Sequence, residues 1–361
     1  MAVAWIGNRE ASLQRAAEEA AKLLQSSRCP VFSFDTDVHG TRAAIALAER
    51  VGAAYDHIDG AVLARETALF TDRGGMVVAP GETRRRADVV VIVGELPEAH
   101  RRFLLELAVT EPDQPAAGQR SFFSVGKQTP PLDGKRAATQ LTCGEAGLAA
   151  TLAALRALCA GRQVSTPVAN FDIFAQAIAE ARFPVFLFSG HAADALALEM
   201  LQGLIGDLNA TGRASGLHLT ASESGWGSAL ASTWMTGFPP RTGFSRGFPE
   251  HDPWRYDVAR MIAAGEADCH LWISGSAERP PPKPRKDMLL VALAKTSGPV
   301  AGAAVTIRIG ETGVDHDGVG YLARIGTLTA LAARSPTDLP SAAAILRAIA
   351  EKVPAEAVPP C

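Results

Sequence analysis

The stretch from Phe183 to Ser215, FPVFLFSGHAADALALEMLQGLIGDLNATGRAS, leaves little freedom in how it folds. Pro184 to Phe188 is an unbroken apolar run with the length and Phe/Val content of a strand buried on both faces. Ser189-Gly190-His191 turns the chain, and an Ala/Leu-rich helix is predicted from about residue 192 to Leu208. Asn209, Gly212 and Gly216 stop that helix. Strand, tight turn and helix form the unit of a doubly wound parallel sheet, and ligands sit at the carboxyl end of such a strand. The stretch therefore predicts an α/β fold with a ligand crest, or the remains of one, at Ser189, Gly190 and His191.

The same grammar runs along the chain. Residues 10–26 have helical apolar spacing and lead into CPVFSF, residues 29–34, as a strand. TRAAIALAERVG, 41–52, reads as a second helix and GAVLARETALF, 60–70, as a third. MVVAP (76–80) reads as a short strand, and Ala87 to Val93, ended by Gly94, as the clearest buried parallel strand. A helix follows to about Val109, then strands SFFSVG (121–126) and TQLTC (139–143) and helix GLAATLAALRALCAG. Helix FDIFAQAIAEAR, 171–182, then enters strand PVFLF as the first helix entered CPVFSF. That match predicts two similar Rossmann-like α/β domains, residues 1–165 and 166–361, joined through the polar segment RQVSTPV. GLHLT (216–220), CHLWIS (269–274), MLLVAL (288–293) and AAVTIRI (303–309) supply further strands. Apolar strands alternating with helices argue for mainly parallel sheets.

At 361 residues the chain suits about two domains, since single cores rarely grow past roughly 250–300 residues. The net charge of −3 argues against general nucleic-acid binding. No apolar run reaches the roughly 18 residues of a membrane span, and MAVAWIGNREAS lacks the pattern of a secretory signal. The expected location is the cytoplasm, with no membrane contact. Cys29, Cys143, Cys159, Cys269 and Cys361 lie far apart, whereas zinc and iron–sulfur sites need closely spaced thiolates. They read as buried thiols, and no metal site is expected.

Other chemistry is absent by pattern. No two of the eight histidines stand at i, i+4, and His191 reads either as a ligand contact or as a hydrogen-bonded turn residue. LFSGH has Leu187 where a nucleophile elbow needs glycine. There is no phosphate loop, and DTDVHG after the first strand is acidic, which repels pyrophosphate. ETGVDHDGVGYL, 311–322, lacks the distal glutamate of a calcium loop and reads as a polar turn. Residues 223–254, rich in glycine and aromatics, read as a long ordered loop region suited to a partner. ERPPPKPRK, 278–286, reads as a basic polyproline-II segment.

The order of pieces resembles a known family. AAEEAAKLLQSSRCPVFSF, TRAAIALAERVGAAYDHI and TRRRADVVVIVGELPEAH resemble the B subunit of formylmethanofuran dehydrogenase, a molybdopterin-type oxidoreductase. Gly94, Pro97 and His100 match the Gly, Pro and His of that family's "WG-x-NP-x-x-H"-like turn. FSGHAADALALEMLQGLIGDLNATGRAS and AAVTIRIGETGVDHDGVGYLARIG match its later segments in order. The departures concern the cofactor. The resemblance implies an amino-terminal cysteine cluster for an iron–sulfur centre and a metal-ligating cysteine after the second helix. This sequence has no such cluster, and HIDGAVLARE, 57–66, has no cysteine. Glu95 and Leu96 replace residues of the cofactor-holding turn. Without thiolates, tungsten or molybdenum is not held.

A degenerate form of that protein resembles the B subunit of the bacterial formyltransferase/hydrolase complex of one-carbon metabolism and formaldehyde oxidation. The resemblance implies a non-catalytic scaffold with no catalytic, cofactor or metal residues of its own. Ser189, Gly190, His191, Gly94 and His100 would line a vestigial cleft. The implied partners are an amidohydrolase-type A subunit that carries a metal and releases formate, a C subunit, and a D subunit that is the formyltransferase. D would move formyl from formyl-tetrahydromethanopterin to a methanofuran-like carrier. Arg241, Arg246, Lys283, Arg285 and Lys286 are candidates to guide the carrier's acidic tail by charge complementarity. Two alternatives stay open: an active pterin-dependent formylmethanofuran dehydrogenase chain, and a pterin- or nucleotide-binding module.

Overall fold

The computed structural model describes residues 3–113, 119–127, 129–132, 136–191, 193–276, 279–283, 285 and 287–354. Two compact units emerge. The first comprises residues 1–64, 222–321 and 328–361, and the second residues 65–221 and 322–327.

In the first unit a nine-stranded sheet has at its centre the parallel strands Ala54–His57, Pro30–Asp35, Cys269–Ser274, Leu289–Ala294 and Val305–Arg308, in that spatial order. Short antiparallel strands finish both edges: Thr242–Gly243 and Glu250–His251 on one side, Ala4–Ile6 and Arg9–Glu10 on the other. Every residue of Pro30–Asp35 and Cys269–Ser274 is buried, the signature of a sheet covered on both faces. Helices Leu13–Ser26, Val38–Val51 and Ala342–Ala350 contribute to a core that includes Phe32, Phe34, Ile273 and Leu293. Their starts are written locally: Ser12 and Asp37 cap the first two by accepting from Arg15 N (3.2 Å) and Gly40 N (2.8 Å). Gly52, at φ 66°, ends the second.

The second unit holds five parallel strands in the order Thr139–Leu141, Ser121–Val125, Val89–Val93, Pro184–Phe188 and Ser215–His218. Leu148–Cys159, Phe171–Glu180 and Ala195–Leu208 cover one face around Phe174, Phe186 and Leu201. Phe103, Leu104 and Leu107 of helix Arg101–Val109 cover the other.

The doubly wound, mainly parallel α/β fold agrees with the sequence, but the grouping differs from the contiguous split near residue 165. Cys269–Ser274 pairs in register with Pro30–Asp35, from Cys269↔Pro30 to Ser274↔Asp35, so both ends of the chain share one sheet. The matched helix–strand pieces at 10–34 and 171–188 supply one such pair to each unit. Three local readings also change. MVVAP forms no strand; it makes an isolated bridge, Val77↔Gly216, and Pro80 starts a helix, Pro80–Arg86. Residues 223–236 are a helix capped by Ser222, not a loop, and its face of Gly225, Gly227, Ser228, Ala229 and Ser232 is buried. Small residues hid it, because they allow close helix packing while giving almost no apolar periodicity. After the polar turn at 311–317, Gly318–Leu322 and Thr327–Leu331 pair as a hairpin.

Candidate functional site

The carboxyl edge of the five-stranded sheet is the place where a doubly wound unit would bind a ligand. Here it is filled by one of the protein's own carboxylates, Glu66 of helix Gly60–Arg73. Glu66 Oε1 accepts from the Gly190 amide (3.0 Å) and the Ser189 hydroxyl (3.4 Å), and His218 Nε2 lies 3.1 Å away. Its other oxygen accepts from the Thr220 hydroxyl (3.3 Å). Thr220 in turn presents its carbonyl to His100 Nε2 at 2.7 Å. Glu66, Ser189, Thr220 and His100 are all buried. A Cβ at Gly190 would collide with the Glu66 side chain, so the glycine is needed for close approach of this carboxylate.

Burial alone would push the Glu66 carboxyl up. The hydrogen bond and charge of His218 and the amides of Gly190 and Ala221 outweigh that and hold it below the usual range. The amide and hydroxyl that would meet an incoming anion therefore already face a fixed negative charge. His191 is exposed, with its amide on Ser189 Oγ (3.3 Å). Gly94, at φ 66°, passes its amide to Val125 O (2.9 Å), closing the neighbouring crest with backbone. The structure thus joins Ser189, Gly190 and His100 in one polar network, which the His191 amide touches while its side chain stays exposed, and Gly94 ends the neighbouring strand.

The corresponding edge of the first unit is closed in the same manner. Asp37 of the acidic loop spends its carboxylate on the Gly40 and Val319 amides (2.8 and 3.3 Å). His57 Nδ1 accepts from the Asp59 amide (3.0 Å), which leaves Nε2 protonated and 3.9 Å from Asp35 Oδ1. Burial pushes His57 down, against the pull of Asp35 and Asp59, so the ring is neutral.

The basic candidates do not converge. Arg241 is buried, not free for a carrier. Its Nε donates to Asp56 (3.2 Å), one terminal nitrogen to Pro253 O (2.6 Å), and the other pairs with Asp257 (2.8 Å). Burial pushes the Asp56 carboxyl up to about 7, opposed by Arg241 and the His57 amide. Arg241 also stands at φ 68°, a conformation uncommon for any residue but glycine and held here by those bonds. Arg246 is exposed and pairs with Glu250 (3.2 Å). Lys283 is exposed, Arg285 pairs with Asp287 (3.3 Å), and Lys286 lies outside the described residues.

Glu66 itself was not among the residues that the sequence singles out. Leu63, Glu66, Thr67 and Phe70 share one helical stripe, and a carboxylate on an otherwise core-facing stripe was the available signal. Among the described residues no cluster of three or more His, Cys, Asp and Glu side chains is arranged to hold a metal. Burial pushes the Cys159 and Cys269 thiols up to about 11 and 12, and Cys29 upward as well.

These features define a two-unit, doubly wound α/β protein whose strand crests are closed by its own side chains. No family model matches the chain. It is similar to the B subunit of the formyltransferase/hydrolase complex Fhc of Methylorubrum extorquens, at 34% identity over 97% of this chain and 98% of that protein. A chain of the crystal structure of the FhcABCD complex from the same organism, determined with methylofuran, superposes with a TM-score of 0.86 at 33% identity. That match covers 97% of this chain and 98% of the other. The chain belongs to the family of formyltransferase/hydrolase complex B subunits. The B subunit of the tungsten-containing formylmethanofuran dehydrogenase 2 of Methanocaldococcus jannaschii is a more distant relative, 25% identical over 74% of this chain and 65% of its own length. The tungsten group of that relative does not fit the residues present here. The crest amide serves Glu66, and among the described residues no group of three or more His, Cys, Asp and Glu side chains gathers to ligate a metal.

Proposed function

We propose that this chain is the non-catalytic scaffold of a formyltransferase/hydrolase complex in one-carbon metabolism, working in the cytoplasm. Its partners on this reading are an amidohydrolase-type, metal-bearing A subunit, a C subunit and a formyltransferase D subunit. Together they transfer formyl from formyl-tetrahydromethanopterin to a methanofuran-like carrier and release formate, with the chemistry on the partners. The observation that carries the reading is Glu66. The strand edge where a doubly wound unit would dock an anionic group is taken by a buried carboxylate with its own set of donors, in a chain whose distant relative is a tungsten-containing dehydrogenase subunit.

The test is purification of the complex from its source, with its chains identified by mass and a metal count on this one. The expected result is co-elution with the A, C and D subunits and no stoichiometric tungsten or molybdenum on this chain. Elution alone as a stable monomer would overturn the scaffold role. One equivalent of either metal on this chain would overturn its non-catalytic character.

A further inference from the structure

A groove of about 820 Å³ opens on the second unit, on the side away from the crest, where strand Pro184–Phe188 begins. It is lined by Gly81, Glu82, Arg85, Arg86, Asp113, Arg182 and Phe183. Arg85 pairs with Asp113 at 2.9 Å and Arg86 with Glu82. Phe183 is only 3% exposed: it packs in the core cluster with Val185 and Leu187, and guanidiniums lie over its ring, Arg86 Cζ at 4.3 Å and Arg213 Cζ at 4.8 Å from the ring centre. The side chains of Arg182 and Arg213 are exposed and have no ion-pair partner among the described residues. The backbone beneath is fixed, since Asp88 accepts from the amides of Arg182 (2.7 Å) and Phe183 (2.9 Å).

With Asp88 counted, four arginines against three carboxylates still leave this face positive on a chain whose net charge is −3. Two cations gathered on one ring repel each other, and an anion close to both lowers that cost. A guanidinium lying over a ring keeps its in-plane N–H edge available for a carboxylate fork. The donors are spread along an open groove, and two of them already hold single carboxylates. That arrangement suits several carboxylates on an extended backbone rather than one compact phosphate.

We propose that this groove binds an extended acidic peptide segment, with Arg182 and Arg213 as the anchors that hold no carboxylate and Phe183 as the platform under Arg213. The proposal is independent of the scaffold reading, because it concerns a surface that the strand crests do not share.

The experiment titrates the complex containing this chain into fluorophore-labelled, acetylated tetra-aspartate and follows anisotropy. The same titration is run with the double variant Arg182→Ala/Arg213→Ala and with Arg15→Ala/Lys22→Ala, on the exposed side of helix Leu13–Ser26, as a charge-matched control. Both variants change exposed side chains, and an unchanged melting temperature verifies their folding. The expected result is saturable binding that weakens about tenfold in the double variant, is unchanged in the control, and fades as salt shortens the screening length. Absence of peptide binding, equal affinity in the double variant, or an equal loss in the control would each overturn the proposal. Tighter competition by inorganic pyrophosphate than by unlabelled tetra-aspartate would overturn the acidic-peptide assignment.

Discussion

Removing the carboxylate of Glu66 is the perturbation that most directly probes the closed crest. Glu66→Ala takes the acceptor from the Gly190 amide and the Ser189 and Thr220 hydroxyls, and the counter-charge from His218, all in a buried setting. A buried donor left unmade costs about 1–3 kcal/mol. The two hydroxyls can rotate toward other acceptors and water can enter the vacated space, so the amide and His218 dominate. The expected loss is about 3–4 kcal/mol, within the range for breaking one side of a buried pair. At about 2–4 °C per kcal/mol for a unit of this size, the melting transition falls by roughly 6–16 °C. Glu66→Gln keeps the shape and an oxygen toward Gly190, and it gives up only charge; about 1 kcal/mol is expected. The two variants also separate by pH. The native carboxyl is held below its unfolded value, so its contribution is present above that unfolded value and is lost as pH falls through the lower native one. Glu66→Gln removes this acid-side loss. Urea unfolding followed by far-ultraviolet circular dichroism at several pH values reads both effects. A Glu66→Ala chain within about 0.5 kcal/mol of wild type, the scatter of ordinary surface changes, would refute the reasoning.

Other consequences follow from single residues. Arg120 is buried and donates to the carbonyls of Ala87 (2.7 Å), Leu107 (2.5 Å), Thr110 (2.8 Å) and Arg84 (2.6 Å). Arg120→Met is expected to cost about 3 kcal/mol in urea unfolding by orphaning them. Burial pushes His270 down to about 4. The unfolded chain then takes up a proton near pH 6.5 that the native chain refuses, and stability falls between about pH 6.5 and 4 by up to about 3 kcal/mol. A His270→Gln chain with the same acid slope would contradict this. Arg241→Lys keeps a charge but not the fork that holds Asp56, Asp257 and Pro253. It is expected to lower the melting temperature clearly, whereas Arg246→Ala, at the surface, leaves it within about 1 °C. Ser222→Ala removes the acceptor for Gly225 N (3.0 Å) and is expected to cost about 1 kcal/mol by the same unfolding measurement.

How much of this was legible in the sequence depended on whether the cause was local. Pro184–Phe188 and Cys269–Ser274 have in the structure the limits expected of them, because a buried strand declares itself by an unbroken apolar run. Ser189-Gly190 stands out as a crest because a strand must end in a turn before its helix. The same logic misjudges residues 223–236, where Gly225, Gly227 and Ser228 build a helix face out of absence of bulk. It also makes Arg241 a surface cation, since a charge in sequence carries no mark of the carboxylates that will surround it.

What the sequence determined by itself was the set of strand–turn–helix pieces, the doubly wound α/β class and, through the order of those pieces, the family. Tertiary structure alone decided that Cys269–Ser274 lies beside Pro30–Asp35, and that Glu66 reaches Ser189, Gly190, His218 and Thr220. The physical reason is range. Hydrophobic periodicity and capping act between neighbours along the chain, whereas strand pairing and the neutralisation of a buried charge are settled between residues that only the folded chain brings within about 3 Å.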